Sequence, residues 1–281
     1  MQRIPIFDNH LHLSPEGRNV EAVKEFVKEG GTHFILCHLP YASVPINKGE
    51  DFLRSYEITL QLGEKCRKEA EVGVDIIIGP YPVLLLDLAK KHGLSEAMNI
   101  MRQGMELAQS LVREGKAVGI GEIGRPHFPV SEEIMEASNE LMSYGMQLAK
   151  EASCPVILHT ESATPSTMLE IARMADRVGL PREKVVKHYS PPLVKEEENS
   201  GLFPSILASR MAMTEALSKG KRFLVETDYL DDPKRPGAVM SITTVPKRTK
   251  ALLKTGIMSE EQAYAIHQEN PGIVYGITVR C

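Results

Sequence analysis

The chain predicts an α/β fold, a (β/α)8 TIM barrel, on three observations. About eight short apolar runs recur along its 281 residues, each followed by sequence of helical character, the rhythm of a barrel. The runs are almost free of polar alternation, as strands buried on both faces of a parallel sheet are. Polar residues able to do chemistry recur where the runs end. A barrel collects those ends on one face, whereas an open doubly wound sheet offers no reason for the pattern. The Gly-x-Gly-x-x-Gly fingerprint of dinucleotide binding is also absent after the first run.

In order, the expected strands are Arg3–Phe7, Thr32–Cys37, Val74–Ile78, Ala117–Gly121, Pro155–Leu158, Val185–Lys187, Ser205–Ala208 and Phe223–Glu226. Helical sequence lies between them at Asn19–Glu29, Asp51–Glu71, Ser95–Glu114, Ser131–Ala152, Ser166–Val178 and, more weakly, Met211–Ser218. Leu84–Lys91 reads as a short extra helix. Ser241–Lys254 and Ser259–Glu269 close the chain, the latter opening with an N-cap Ser and acidic residues in its first turn. No stretch is rich enough in Gly, Ser or Pro to be a linker, so residues 1–281 are expected to form one domain.

Composition excludes several classes. At 42% hydrophobic and 25% charged, the profile is that of a globular protein. No run approaches the roughly 18 apolar residues of a membrane span. Asp8 and His10 interrupt any signal sequence, which gives the expectation of a cytoplasmic protein. Cys37, Cys66, Cys154 and Cys281 lack Cys-x-x-Cys spacing, which suits reduced thiols. A net charge of -4 argues against wholesale nucleic-acid binding, and the basic clusters at 219–222 and 247–250 read as solvated faces.

The chemistry starts at Asp8-Asn9-His10-Leu11-His12. Side chains alternate along a strand, so His10 and His12 point the same way and can share one metal ion. Later ends add Glu122 within Gly119-Ile120-Gly121-Glu122-Ile123-Gly124, then His159, His188, and Asp228 within Glu226-Thr227-Asp228. Each has a plainer reading: His159 or His188 as a hydrogen-bonded loop histidine, Glu122 as a solvated turn residue, Asp228 as a helix cap. Burying four imidazoles and two carboxylates together without a cation is costly, so the set is expected to bind metal.

The order His10-x-His12, Gly-Glu122-Ile-Gly, His159, His188 and Glu226-Thr227-Asp228 resembles the TatD family of metal-dependent hydrolases, within the amidohydrolase superfamily, from His10 to Asn270-Pro271. The resemblance implies two divalent ions, one held by His10, His12 and Asp228, the other by His159 and His188, with Glu122 bridging. Zinc, manganese or magnesium would serve. Two such ions outweigh two carboxylates and leave a cationic site, suited to in-line displacement at a phosphate ester. Asp228 is the candidate general base.

The chain departs from the family pattern where Gly-Glu-Ile-Gly continues as Arg125-Pro126-His127-Phe128 rather than Leu-Asp, and where Thr160-Glu161 follows His159. Glu161 would repel a polyanion; Arg125 or Arg210 would offset it by forking around phosphate oxygens. His127 is a candidate substrate contact. Lys187 is expected to point away from His188. His38 is expected to be a satisfied loop histidine, with His33, His92 and His267 as surface or packing residues. The expected activity is hydrolysis of a phosphodiester in a small phosphorylated substrate or a single-stranded DNA end, as in a TatD-like deoxyribonuclease, with no membrane partner. The alternatives are hydrolysis of a small lactone, amide or carboxylic ester on the same cage and, last, a non-catalytic metal-binding scaffold.

Overall fold

The computed structural model describes residues 4–236 and 238–281. Among them run the strands β1 (Phe7–His12), β2 (His33–Cys37), β3 (Gly73–Ile78), β4 (Gly119–Gly124), β5 (Val156–His159), β6 (Val185–Ser190), β7 (Phe203–Leu207), β8 (Leu224–Glu226) and β9 (Tyr229–Leu230). They pair in parallel in the order β8-β7-β6-β5-β4-β3-β2-β1-β9. Only Thr227 and Asp228 separate β8 from β9, so the two are halves of one interrupted strand. The first half pairs with β7 and the second with β1, and this closes the sheet into a (β/α)8 barrel.

Around it lie α1 (Val20–Lys28), α2 (Asp51–Ala70), α3 (Leu84–His92), α4 (Leu94–Arg113), α5 (Glu132–Glu151), α6 (Pro165–Val178), α7 (Glu196–Asn199), α8 (Arg210–Lys219), α9 (Thr244–Lys254), α10 (Glu260–Tyr264) and α11 (Asn270–Tyr275). Their apolar stripes, for example Val20, Val23 and Phe26 of α1, bury against the outer face of the sheet. Inside the barrel, Phe7, Ile35, Ile77, Ile157, Val186, Phe203 and Leu224 pack together near the strand starts. Val274, Tyr275 and Val279 of the C-terminal segment pack onto them and seal that end.

Several expected boundaries move. Arg3 lies outside the described residues, and Phe7, the expected end of the first strand, is where β1 begins. The polar residues that suggested a loop are buried inside the strand because they find partners there: Thr227 N–H and Oγ1–H donate to the Asp8 carboxylate at 3.0 and 2.7 Å. β4 and β6 likewise run on, to Gly124 and Ser190, because their ladders resume beyond a bulge.

The expected helix 259–269 starts as foreseen, with a reciprocal Ser259–Gln262 capping box. It then widens into a π turn at Ala265–Glu269 and resumes as α11. The wide turn carries a buried His267, whose ring lies 3.1 Å from the Phe7 backbone and 2.9 Å from Thr249 Oγ1. The elements α7 and β9 are too short to leave a periodic signal. Much of the basic clusters serves the fold rather than facing solvent unpaired. Arg222 stacks on Phe203 at 4.1 Å and donates to the Gly201 and Leu202 carbonyls, and Lys219 pairs with Glu198. Among the described residues no helix is long and apolar enough to cross a membrane, and no disulfide is formed.

Candidate metal centre

The strands that carry the buried candidate ligands lose their register at those ligands. β1 slips between Asp8 and Leu11, β4 between Gly121 and Ile123, and β6 between Lys187 and Ser190. His10, Glu122 and His188 sit inside these slips, and Asp228 sits in the break between β8 and β9. A bulge adds one residue and re-aims the side chains beyond it. In β1, Phe7 packs inside the barrel whereas Leu11 packs outside it, so the alternation inverts between them and His10 and His12 face inward together. Two residues at the site, Tyr189 and Asp228, hold left-handed φ values of 52° and 48°. Such backbone costs of order 1–3 kcal/mol and persists where surroundings impose it.

All six predicted ligands converge. Glu122 Oε1 lies 3.1 Å from His188 Nε2, 3.4 Å from His10 Nε2 and 3.4 Å from His159 Nδ1. Asp228 Oδ1 is 3.6 Å from His12 Nε2 and 3.9 Å from His10 Nε2, and the two Nε2 atoms are 3.1 Å apart. Ligands sharing a tetrahedral ion at about 2.0–2.2 Å lie roughly 3.3–3.6 Å from one another.

Proton positions make the case sharper. His12 Nδ1 is 3.0 Å from the Cys37 carbonyl and His188 Nδ1 is 2.9 Å from the Glu226 carboxylate. Both partners only accept, so each Nδ1 bears a hydrogen, and each Nε2 is left either to carry a second proton or to present a lone pair to a cation. Each Nε2 faces carboxylate oxygens, which present only lone pairs. A positive charge therefore belongs between them, a proton on Nε2 or a metal ion. With Nδ1 anchored, each ring turns its Nε2 toward the carboxylates, so these residues fit a divalent metal ion.

Titration follows the same logic. Burial pulls at every group. It pushes His10 down, assisted by the charge of His188. For His12 burial is outweighed by the Asp228 hydrogen bond and Glu122, and it stands raised. For His188 burial is outweighed by Glu226 and Glu122, and it is raised to about 9. Glu122, although buried, is held well below the carboxylate range by His188 and His10. The cluster therefore draws positive charge to itself. Beneath it, burial raises Asp8 to about 7 against the hydrogen bonds of Thr227.

The ligands open into a cavity of about 730 Å³. Leu39, Pro40, Leu230 and Val239 contribute aliphatic lining, Tyr81 and Tyr189 aromatic rings, and Arg235 a cation. The family model "TatD related DNase" matches residues 7–276. The chain belongs to the TatD family. It is 40% identical over 279 residues to uncharacterized protein MJ1127 of Methanocaldococcus jannaschii, covering 98% of this chain and 97% of that one. Its fold matches YjjV, a TatD homolog of Escherichia coli, with a TM-score of 0.64 at 21% identity, over 97% and 98% of the two chains. A phosphotriesterase homology protein from E. coli, with phosphate in its active site, matches over 98% and 100% at 13% identity, also with a TM-score of 0.64. At these identities both structures show a shared fold. Membership of the TatD family together with the buried His/carboxylate cluster makes the protein a metal-dependent hydrolase.

The expected substrate contacts fare unevenly. Arg125 is corrected: it is buried and its guanidinium is occupied, forking onto Glu161 at 2.8 and 2.6 Å and reaching Glu170 and Asn139 at 2.8 and 2.9 Å. It offers no free fork to a phosphate, and by the same pairing Glu161 is not the lone repelling charge it seemed. Arg210 is exposed and does not line the cavity. His127 does line it, with Nδ1 2.8 Å from His159 Nε2.

Lys187 is fully buried and donates to the His188 carbonyl, and burial lowers its pKa to about 8. His38 is a satisfied buried histidine, 2.8 Å from Thr59 Oγ1 and held neutral by burial at about 3. His33 pairs with Asp75 at 2.7 Å. Sequence reasoning missed Glu226 and Arg235. The first was legible only as part of a motif, and the second carries no local signal.

Proposed function

We propose that this chain holds two divalent ions and hydrolyses a phosphodiester bond, in a small phosphorylated substrate or at a single-stranded DNA end. One ion is assigned to His10, His12 and Asp228, the other to His159 and His188, with Glu122 between them. The observation that carries the reading is Glu122 Oε1, a single oxygen within 3.4 Å of histidines from both groups. When bound, such ions polarise an ester oxygen and acidify water.

Asp228 is the general base. Its carboxylate lines the cavity with one oxygen set against His12, so it can orient the attacking water and take its proton. His127 and Arg235 are the substrate contacts; Arg235 Nε is paired with Asp232 at 2.9 Å while most of its side chain stays exposed. The Leu39, Pro40, Leu230 and Val239 lining favours a second reading, a small lactone, amide or carboxylic ester with an apolar body.

The test is metal-reconstituted activity on an aryl phosphodiester and a short single-stranded DNA in parallel. Cleavage of DNA, lost in Asp228→Asn, supports the nuclease. Diester activity alone supports a small phosphorylated substrate, and activity on neither overturns the phosphodiester reading in favour of the second. Metal content per chain should fall in Glu122→Gln, and an unchanged two-ion stoichiometry would sink its bridging role.

A further inference from the structure

The floor of the metal centre is a chain of buried polar side chains that reaches the opposite end of the barrel. Glu226, fully buried, receives three donors: His188 Nδ1–H at 2.9 Å, the Tyr189 N–H at 2.7 Å, and the hydroxyl of Ser205. A carboxylate only accepts, so Ser205 must donate and its oxygen is left as an acceptor. Asn9 must then present its amide NH2 to Ser205, which it does at 2.9 Å. Its carbonyl oxygen is left facing Tyr275, whose hydroxyl donates to it at 2.7 Å. Every hydrogen bond in the line is thereby directed toward Glu226, the arrangement in which successive bonds polarise one another.

We infer that Tyr275, Asn9, Ser205 and Glu226 form a positioning relay, through which the C-terminal helix α11 fixes the tautomer and orientation of His188 and so sets how tightly the centre holds its ion. Mere satisfaction of buried polar atoms would need no line of fixed polarity running from α11 to a ligand. The inference rests on the metal-binding reading above. None of the relay residues touches substrate.

The test uses the full chain stripped with a chelator, zinc titrated back against a chromophoric competitor, and the His188 Nδ1–H proton followed by NMR. Glu226→Gln should weaken zinc by about 10–100-fold, the usual effect of losing the partner of a ligating histidine. Ser205→Ala and Tyr275→Phe should weaken it by progressively less, on the order of tenfold and threefold, as the loss moves away from the ligand. Both should shift the His188 proton resonance.

Lys184→Ala is the control. Lys184 Nζ anchors the same helix through the Ile273 and Val274 carbonyls, both at 2.7 Å, without touching the relay, so zinc affinity should stay unchanged. Unaltered zinc binding and an unmoved resonance in Tyr275→Phe overturn the relay. So does a Lys184→Ala protein weakened as much as Tyr275→Phe, since loosened packing would then suffice. If Ser205→Ala does not fold, Tyr275→Phe, which removes one oxygen atom, decides alone. A wild-type protein that takes up no zinc overturns the metal reading itself, an outcome distinct from failure of the relay.

Discussion

The two ends of the barrel interior are built by opposite rules. At the strand starts, Phe7, Phe203 and Leu224 meet Val274 and Val279, an apolar packing in which the ladders keep their register. At the strand ends the ladders slip, two residues take left-handed backbone, and imidazoles face carboxylates in a buried cluster that draws positive charge to itself. The lesson is a division of labour: the strand starts make the stability that the strand ends spend on holding acceptor atoms together for a cation.

That division can be broken from either side. The largest effect expected is at the strand ends. Asp228→Asn should lower turnover by about 10²–10⁴-fold, the range for losing a general base, with an unfolding midpoint close to wild type. Retained turnover in steady-state assays would remove Asp228 from that role.

Phe203→Ala, at the other end, should do the reverse. A buried Phe truncation costs about 3–5 kcal/mol, read by urea unfolding, while metal content per chain stays constant. Loss of metal in proportion to stability would show that the two ends are not separable.

A pH effect sharpens the contrast. His267 beside Phe7 is held neutral by burial, its pKa lowered from 6.5 to about 4. Because the folded value is depressed, its contribution is fully present above pH 6.5 and is lost as pH falls toward 4. It amounts to about 2 kcal/mol by pH 5, at about 1.4 kcal/mol per unit. His267→Gln should be less stable than wild type at pH 7 and close about that much of the gap at pH 5. A constant gap across that window would show that the His267 proton is not linked to folding.

The smallest effect concerns recognition. Arg235→Ala should raise KM for an aryl phosphodiester by about tenfold, near 1.4 kcal/mol, and leave KM for a neutral ester unchanged. Equal effects on both would assign Arg235 to shaping the cavity wall.

Much of this was legible in the order of residues. Eight apolar runs separated by amphipathic stretches specify a parallel barrel because each must bury both faces. His10, His12, Glu122, His159, His188 and Asp228 stood out because each follows or ends such a run, and they do converge. Contacts between distant residues were not legible. Arg125 looked available until Glu161 and Glu170, 36 and 45 positions away, closed on its guanidinium. Glu226, Ser205, Asn9 and Tyr275 are unremarkable alone and span almost the whole chain.

The sequence by itself therefore determined the barrel, the candidate ligands that converge and the family, because periodicity and residue type at strand ends are local properties. Tertiary structure alone decided which strands slip, which cations are already paired and which imidazoles and carboxylates face one another. Those depend on register and proton direction, and both exist only once the sheet has closed through the broken strand at Thr227 and Asp228.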